Sequence, residues 1–443
     1  MIHLLLFCLL LGAGSAYGES VSLRQALDEA VSNRPLARAA SEEARAAAAA
    51  VGEARSRLLP RLTLSESFYA TDEPGGSLFI ALNQEDLSLS PSADAYNFAP
   101  SRNDFETRLT LEQALYDPDV SYGLKRAKKG AEAAAAMSRR SRERAAFAAF
   151  QAYLEVQQAQ AALGWVESSQ KEAAEILRLA GERQQAGIGL KADVLRAQVL
   201  EARVRQQHIA VEHDLALARR SLALAMGRNG GDVDIAVPLT AALLAGTTGE
   251  LPMARADLEA LSLQVDEAEL GYRQSRAAYL PRLGLSASYA LHDADTPFGT
   301  DAAAWSIRAG MSWELFDGFR RSSQSERTAA GKRAAAARFE ESAHQAGFQL
   351  EQSRLRAEEA RLQVDVASRA LAAAEEGQRL LLLRYEAGLD DLSAMLSTQE
   401  SLDRCRFELV NANTRHILAL GNSAFQNGSF LQALASAQEK SRD

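Results

Sequence analysis

The chain has 443 residues, a formal net charge of −9 and 24% charged residues, which excludes the basic groove that nucleic acid demands. Aromatic residues make up 6%, prolines number 10, and much of the 47% hydrophobic content is alanine. This composition suits long, closely packed helices and excludes a thick aromatic core.

Residues 2–16 are apolar and end in Gly14-Ser15-Ala16, the small-x-small pattern of a secretory signal peptide. Residues 1–18 are therefore expected to be removed on export. Cys8 falls in that run, which leaves Cys405 as the one remaining cysteine and no internal disulfide. No later stretch has about 18 uncharged apolar residues in a row. Any passage through a membrane must then be made by strands.

Residues 19–59 read as helix, with Ser22 as a candidate cap and a break at Arg34-Pro35. Pro60 stops it. Residues 60–117 read as a β-hairpin. Leu62, Leu64 and Phe68 alternate with Thr63, Ser65, Ser67 and Tyr69; later Phe105, Thr107, Leu109 and Leu111 alternate with Glu106, Arg108, Thr110 and Glu112. The stretch 71–103 between them is rich in Gly, Pro, Asn, Asp and Ser and is expected to be a long loop.

Residues 118–227 form the first long helical hairpin. From Val120 to Glu182 there is no proline and almost no glycine, which predicts one helix of roughly 65 residues, on the order of 100 Å long. Phe147, Phe150 and Leu154 give it an apolar stripe. The tip comes near Gly187, and a return helix runs to Gly227. Residues 228–252 hold four glycines and two prolines and read as a linker.

The pattern then restarts. Residues 253–280 read as helix and 281–317 as a second hairpin, in which Trp305, Ile307, Ala309, Met311, Trp313 and Leu315 share the apolar face of the last strand. Residues 318–421 form the second long helical hairpin, with its tip near Gly388. Residues 422–443 are expected to be a loosely ordered tail.

Duplication is the strongest signal in the sequence. Arg183, Ala186, Gly187, Leu195 and Gln198 recur 201 positions later as Arg384, Ala387, Gly388, Leu396 and Gln399. Leu59-Pro60-Arg61-Leu62 recurs as Leu280-Pro281-Arg282-Leu283. Leu115-Tyr116-Asp117 recurs as Leu315-Phe316-Asp317. The strands are the right length to cross a bilayer when tilted. Trp305 and Trp313 lie where an aromatic membrane girdle would need them. Four strands cannot close a barrel, and lipid cannot satisfy an open sheet edge, so closure must come from further copies of the chain. Two copies would give a filled interior and three a lumen.

The duplicated unit, the Leu-Pro-Arg-Leu entries, the Leu-(Tyr/Phe)-Asp exits and the two Ala-Gly tips resemble the TolC family of outer-membrane efflux channels over roughly residues 20–425. The resemblance implies a mainly α fold with a β-hairpin contribution: four transmembrane strands and long α-helical barrel hairpins per protomer. It implies a homotrimer in outer-membrane lipid, with a helical tunnel in the periplasm. It implies the exit duct of a tripartite efflux or type I secretion system, served by a periplasmic adaptor and an inner-membrane pump of RND or ABC type. A stand-alone outer-membrane porin and a periplasmic coiled-coil scaffold are the alternatives.

Carried onto this sequence, the family's adaptor-docking tips are Ala186, Gly187 and Ile188, with Ala387, Gly388 and Leu389. The family's entrance gate places Asp193 against a tyrosine, matched by Tyr385, and against a basic residue whose position here is Asp390. Arg384 is then the nearest replacement cation. Ala394 departs from the family's second aspartate, so Asp390 and Asp391 are the candidates to supply an acidic entrance ring. The six histidines are scattered, and no metal site, cofactor site or catalytic constellation is expected.

Overall fold

The structure is a computed structural model that describes residues 19–88, 94–244 and 253–439. The expected signal segment with Cys8, residues 245–252 of the linker and residues 440–443 of the tail lie outside the described residues. In chain order the elements are β1 (Glu19–Val21), α1 (Leu23–Asn33), α2 (Pro35–Ser56), β2 (Arg61–Thr71), α3 (Pro74–Asn83), α4 (Asp94–Asn97), β3 (Arg102–Tyr116), α5 (Pro118–Gln185), α6 (Lys191–Ala225), β4 (Val233–Ile235), α7 (Ala256–Ala277), β5 (Arg282–Asp293), β6 (Ala302–Ser312), α8 (Arg320–Glu386), α9 (Leu392–Asn427) and α10 (Phe430–Glu439). The repeat is close: α5 and α8 have 68 and 67 residues, α6 and α9 have 35 and 36. Among the described residues no helix is long and apolar enough to cross a membrane.

Two compact units emerge. Of the described residues, one comprises those up to Ser41, those in 137–257 and those from Ser342 on; the other comprises those in 42–136 and 258–341.

The first unit is helical. Ser22 caps α1 in a capping box: its Oγ accepts from Gln25 N at 3.3 Å, and Gln25 Oε1 accepts from Ser22 N at 2.9 Å. Pro35 opens α2, where its missing N–H costs nothing. Part of the expected linker is a strand, since β4 pairs in parallel with β1. Phe150 and Leu154 are fully buried, as the stripe on α5 predicts. Phe147 stacks on Phe425 at 4.5 Å, and Phe150 meets Phe430 edge-on at 5.4 Å.

Those two partners overturn the expectation of a loose tail. Helix α9 runs past Gly421 and stops at Gly428, whose φ of 79° supplies the left-handed cap. Helix α10 then packs Phe430 into the aromatic cluster. Gly421 is a packing residue: a Cβ there would lie 2.4 Å from the Phe150 ring. The packing of Phe425 and the burial of Phe430 order a segment that its local composition leaves undecided.

The second unit carries a four-stranded antiparallel sheet of order β2-β3-β5-β6. Its register joins the two repeats through β3 and β5. Leu64, Leu109, Tyr289 and Trp305 form one cross-strand row, and Leu62, Leu111, Ala287 and Ile307 the next. This is the apolar face read from the sequence. Trp305, Ile307 and Met311 are 74, 68 and 65% exposed. The opposite face is polar, with rows Thr63, Thr110, Ser288, Ser306 and Arg61, Glu112, Ser286, Arg308.

Two expectations fail in this unit. The stretch 71–103 is not all loop. Pro74 opens α3 at its first turn, and Ile80 and Ala81 are buried where α3 lies against β3 and β6. Ser77 Oγ ties it down by donating to Pro100 O at 3.0 Å. The last strand also ends early. Strand β6 stops at Ser312, so Trp313 and Leu315 do not belong to its apolar face. Trp313 donates its indole N–H to Tyr279 O at 3.0 Å. The turn at Gly318 and Phe319, both with positive φ, redirects the chain into α8.

Candidate functional site: the two helical tips

Both tips are in the first unit and are built by the same turn. Gly187 and Gly388 each have φ of 77°. Gly187 N donates to Gln184 O and Ile188 N to Arg183 O, both at 3.0 Å; Gly388 N donates to Tyr385 O at 3.0 Å and Leu389 N to Arg384 O at 2.8 Å. These are the paired bonds of a Schellman stop. The turn leaves Ile188 and Leu389 at the apex, 71 and 66% exposed. Leu190 is as open, at 68%. Ala186 and Ala387 beside the glycines are exposed as well. An apolar apex on each tip can bind another protein's apolar surface.

The gate residues are arranged differently from the expectation. Arg384 does not reach Asp193; it pairs with Asp390 on its own turn. That hydrogen bond and the Asp390 charge hold the Arg384 guanidinium above its ordinary pKa. Asp391 caps α9, its carboxylate accepting from Ala394 N at 2.9 Å. Asp390 and Asp391 thus serve the fold of their own tip and do not form a free acidic pair. Asp193 lies 3.8 Å from Arg196, one turn along α6.

Tyr385 is buried, 4% exposed, within the cluster formed by Val166, Ala173, Ile176, Leu200, Leu392 and Met395. Burial pushes its phenol pKa up, the Arg183 guanidinium opposes this, and the Asp193 charge adds to the rise. The cation that reaches Tyr385 from the other hairpin is Arg183. Its guanidinium lies 4.7 Å from the centre of the Tyr385 ring and donates to the Tyr385 carbonyl. The duplication of Arg183 and Arg384 was the available signal. It marks both arginines without saying which one crosses.

Farther along the same hairpins sits a buried polar cluster that the sequence does not announce. Arg406 makes a two-pronged ion pair with Glu172, both contacts at 2.8 Å, and faces Trp165 at 5.1 Å. Gln399, fully buried, donates to Glu172 at 2.6 Å. Asp403 accepts from Ser169 Oγ at 2.5 Å. Burial raises the Asp403 pKa, while the Ser169 hydrogen bond and the Arg406 charge pull it back.

The other candidate residues lie in the sheet unit: Trp305 within β6 and Trp313 just beyond it. Strand register also gathers three groups that are scattered in the sequence. Asp104, Glu106 and His292 place ligand atoms within 4.8 Å of one another, a grouping that the scattered positions of the histidines in the sequence do not announce.

Comparison with known proteins agrees with this architecture. The profile of the outer membrane efflux protein family matches residues 26–228 and 250–420. Outer membrane protein OprJ of Pseudomonas aeruginosa is 29% identical over 180 residues, 40% of this chain; the match spans only 37% of that relative's length. Among solved structures, the outer membrane protein VceC of Vibrio cholerae superimposes with a TM-score of 0.76 at 19% identity, over 92% of this chain and 96% of that one. The CmeC outer membrane channel of Campylobacter jejuni gives 0.74 at 16% identity, over 95% and 91%. The match defines an outer-membrane transport fold with a duplicated helical hairpin. The chain belongs to the outer membrane efflux protein family.

Proposed function

We propose that the chain assembles as a homotrimer in the outer membrane and serves as the exit duct of a tripartite export system. The observation that carries this reading is the sheet with two open edges. Strands β2 and β6, 11 residues each, pair on one side only, and their apolar face is exposed along its length. Such a sheet is compatible with a bilayer only if copies of the chain join edge to edge. Three copies close twelve strands around the polar face, which then lines water.

The helices support the same closure. In α9 the stripe Met395, Gln399, Leu402 and Arg406 is buried. The repeat-equivalent stripe of α6 is Val194, Gln198, Glu201 and Arg205, and all four are exposed or half-exposed in the single chain. An adjoining copy would cover on α6 what α5 covers on α9. The apolar apices Ile188 and Leu389 are then the surface for a periplasmic adaptor, which links the duct to an inner-membrane pump.

A photo-crosslinking residue at Ile188 and at Leu389 tests this in cells. The expected product joins the chain to a periplasmic adaptor, with the chain in the outer-membrane fraction. A chain that sits in the outer membrane and conducts but yields no such product is a stand-alone porin. A chain recovered in the soluble periplasm is a scaffold.

A further inference from the structure

We propose that Asp104, Glu106 and His292 form a binding site for a zinc-class divalent cation on the polar face of the sheet, at the end where α3 covers it. The inference stands on the sheet unit alone and is independent of the duct reading. Asp104 and Glu106 are two apart on β3 and so point to one face. His292 on β5 is the direct cross-strand partner of Glu106. Two ligands at i and i+2 and a third opposite on the next strand can converge on one point. Here they do: His292 Nδ1 is 2.8 Å from Asp104 Oδ2, and ligand atoms of all three groups lie within 4.8 Å of one another.

Burial makes the grouping unusual for a surface. His292 is 3% and Asp104 6% exposed, and polar groups are rarely enclosed without a purpose or a full set of partners. The supporting shell is present. Gln84, just after α3, donates to Asp104 Oδ1 at 3.1 Å and to Asn103 O at 2.7 Å, which fixes the carboxylate as an outer-shell donor would.

One imidazole nitrogen and two carboxylate oxygens suit zinc, which takes such ligands at about 2.0–2.2 Å and leaves a fourth position for water. Calcium and magnesium prefer all-oxygen shells of six or more. The competing occupant is Arg108, which pairs with Glu106 and is 41% exposed. Its side chain is free to swing out when a cation enters. A bound ion would take the place of the His292–Asp104 hydrogen bond and clamp β3 to β5.

The test is calorimetric titration of the full-length chain in detergent, stripped of metal, with zinc chloride and separately with magnesium chloride. One zinc per chain is expected, and no comparable binding of magnesium. Glu106→Gln and His292→Ala should each weaken zinc binding at least tenfold. Arg108→Ala should tighten it by freeing Glu106, and His416→Ala, in the other unit, should leave it unchanged. If His292→Ala does not fold, the half-exposed Glu106 and Arg108 positions still decide the matter. Zinc bound equally by the wild type and Glu106→Gln, or no more tightly than magnesium, overturns the site.

Discussion

The two tips share a turn and differ in how their polar side chains are used. The glycine φ values coincide, the stop bonds coincide, and the exposed pairs Arg178–Glu175 and Arg379–Glu376 repeat 201 positions apart. Beyond that the repeats part. At the first tip Arg183 leaves its own hairpin and crosses to Tyr385. At the second Arg384 folds back onto Asp390. Leu190, just before α6, gives no side-chain cap, whereas its repeat equivalent just before α9, Asp391, caps. A duplicated backbone thus carries two chemistries: one tip reaches outward to its neighbour, and the other is braced on itself.

The largest test of this difference lies one step away from the tips. Arg406 and Arg205 occupy the same repeat position, one buried in an ion-pair cluster and one exposed. Arg406→Ala leaves the half-buried Glu172 and Asp403 without their shared cation; breaking a fully buried pair costs about 3–5 kcal/mol, and the partial exposure of the carboxylates puts this loss at the low end, about 3 kcal/mol. Arg205→Ala should stay within about 0.5 kcal/mol in the dissociated chain. Thermal unfolding followed by circular dichroism reads both. Equal losses in the dissociated chain would mean that the return helices are used alike.

The tip glycines should behave identically. A Cβ meets no atom within 4 Å at Gly187 and only the Arg183 side chain at 3.7 Å at Gly388, so the cost of alanine is the left-handed backbone itself, roughly 1–2 kcal/mol at each. Unequal losses for Gly187→Ala and Gly388→Ala would show that the shared turn is not under the same strain in both repeats. Next in size is the cap. Asp391→Ala should lower stability by about 1 kcal/mol, and Leu190→Asp should raise it by a similar amount by giving α6 the cap it lacks. If Leu190→Asp gains nothing, the open α6 start is held by contacts other than a cap.

How much of this was legible follows from where the deciding information lies. The repeat, the hairpin faces and the tip turns rest on local signals: alternation at period two, a glycine after a long helix, Leu-Pro-Arg-Leu before a strand. Each of those held. Helix α3 was missed because Pro74-Gly75-Gly76 reads as a turn, and only burial of Ile80 and Ala81 on the sheet makes it a helix. Helix α10 was missed because Phe430 is ordered by Phe147 and Phe150, 283 and 280 positions earlier in the chain. Assigning Arg384 to Asp193 failed for a related reason. Spacing gave its reach but could not show that Asp390 on the same turn would take it first. The grouping of His292 with Asp104 and Glu106 depends on strand register across the repeat boundary, which no local pattern encodes.

The smallest expected effect sharpens the same comparison through pH. Asp403 has Ala202 as its repeat equivalent, so only α9 carries this carboxylate. Burial raises its pKa, with Ser169 and Arg406 opposing the rise. A carboxyl whose folded pKa is raised disfavours the fold when ionised, because the unfolded chain gives up that proton more readily. The penalty is fully present at pH above the folded value. It is relieved as pH falls through that value towards the ordinary carboxylate range, and nothing further changes once both states are protonated. Stability should therefore rise slightly on mild acidification in that window. Asp403→Asn should remove this component while keeping an acceptor for Ser169 Oγ. The measurement is the melting temperature of wild type and variant across that window. A wild-type profile that falls where the variant's is flat would mean that Arg406 holds Asp403 ionised, so that the cluster is an ion-pair network in full and not a guanidinium shared mainly with Glu172.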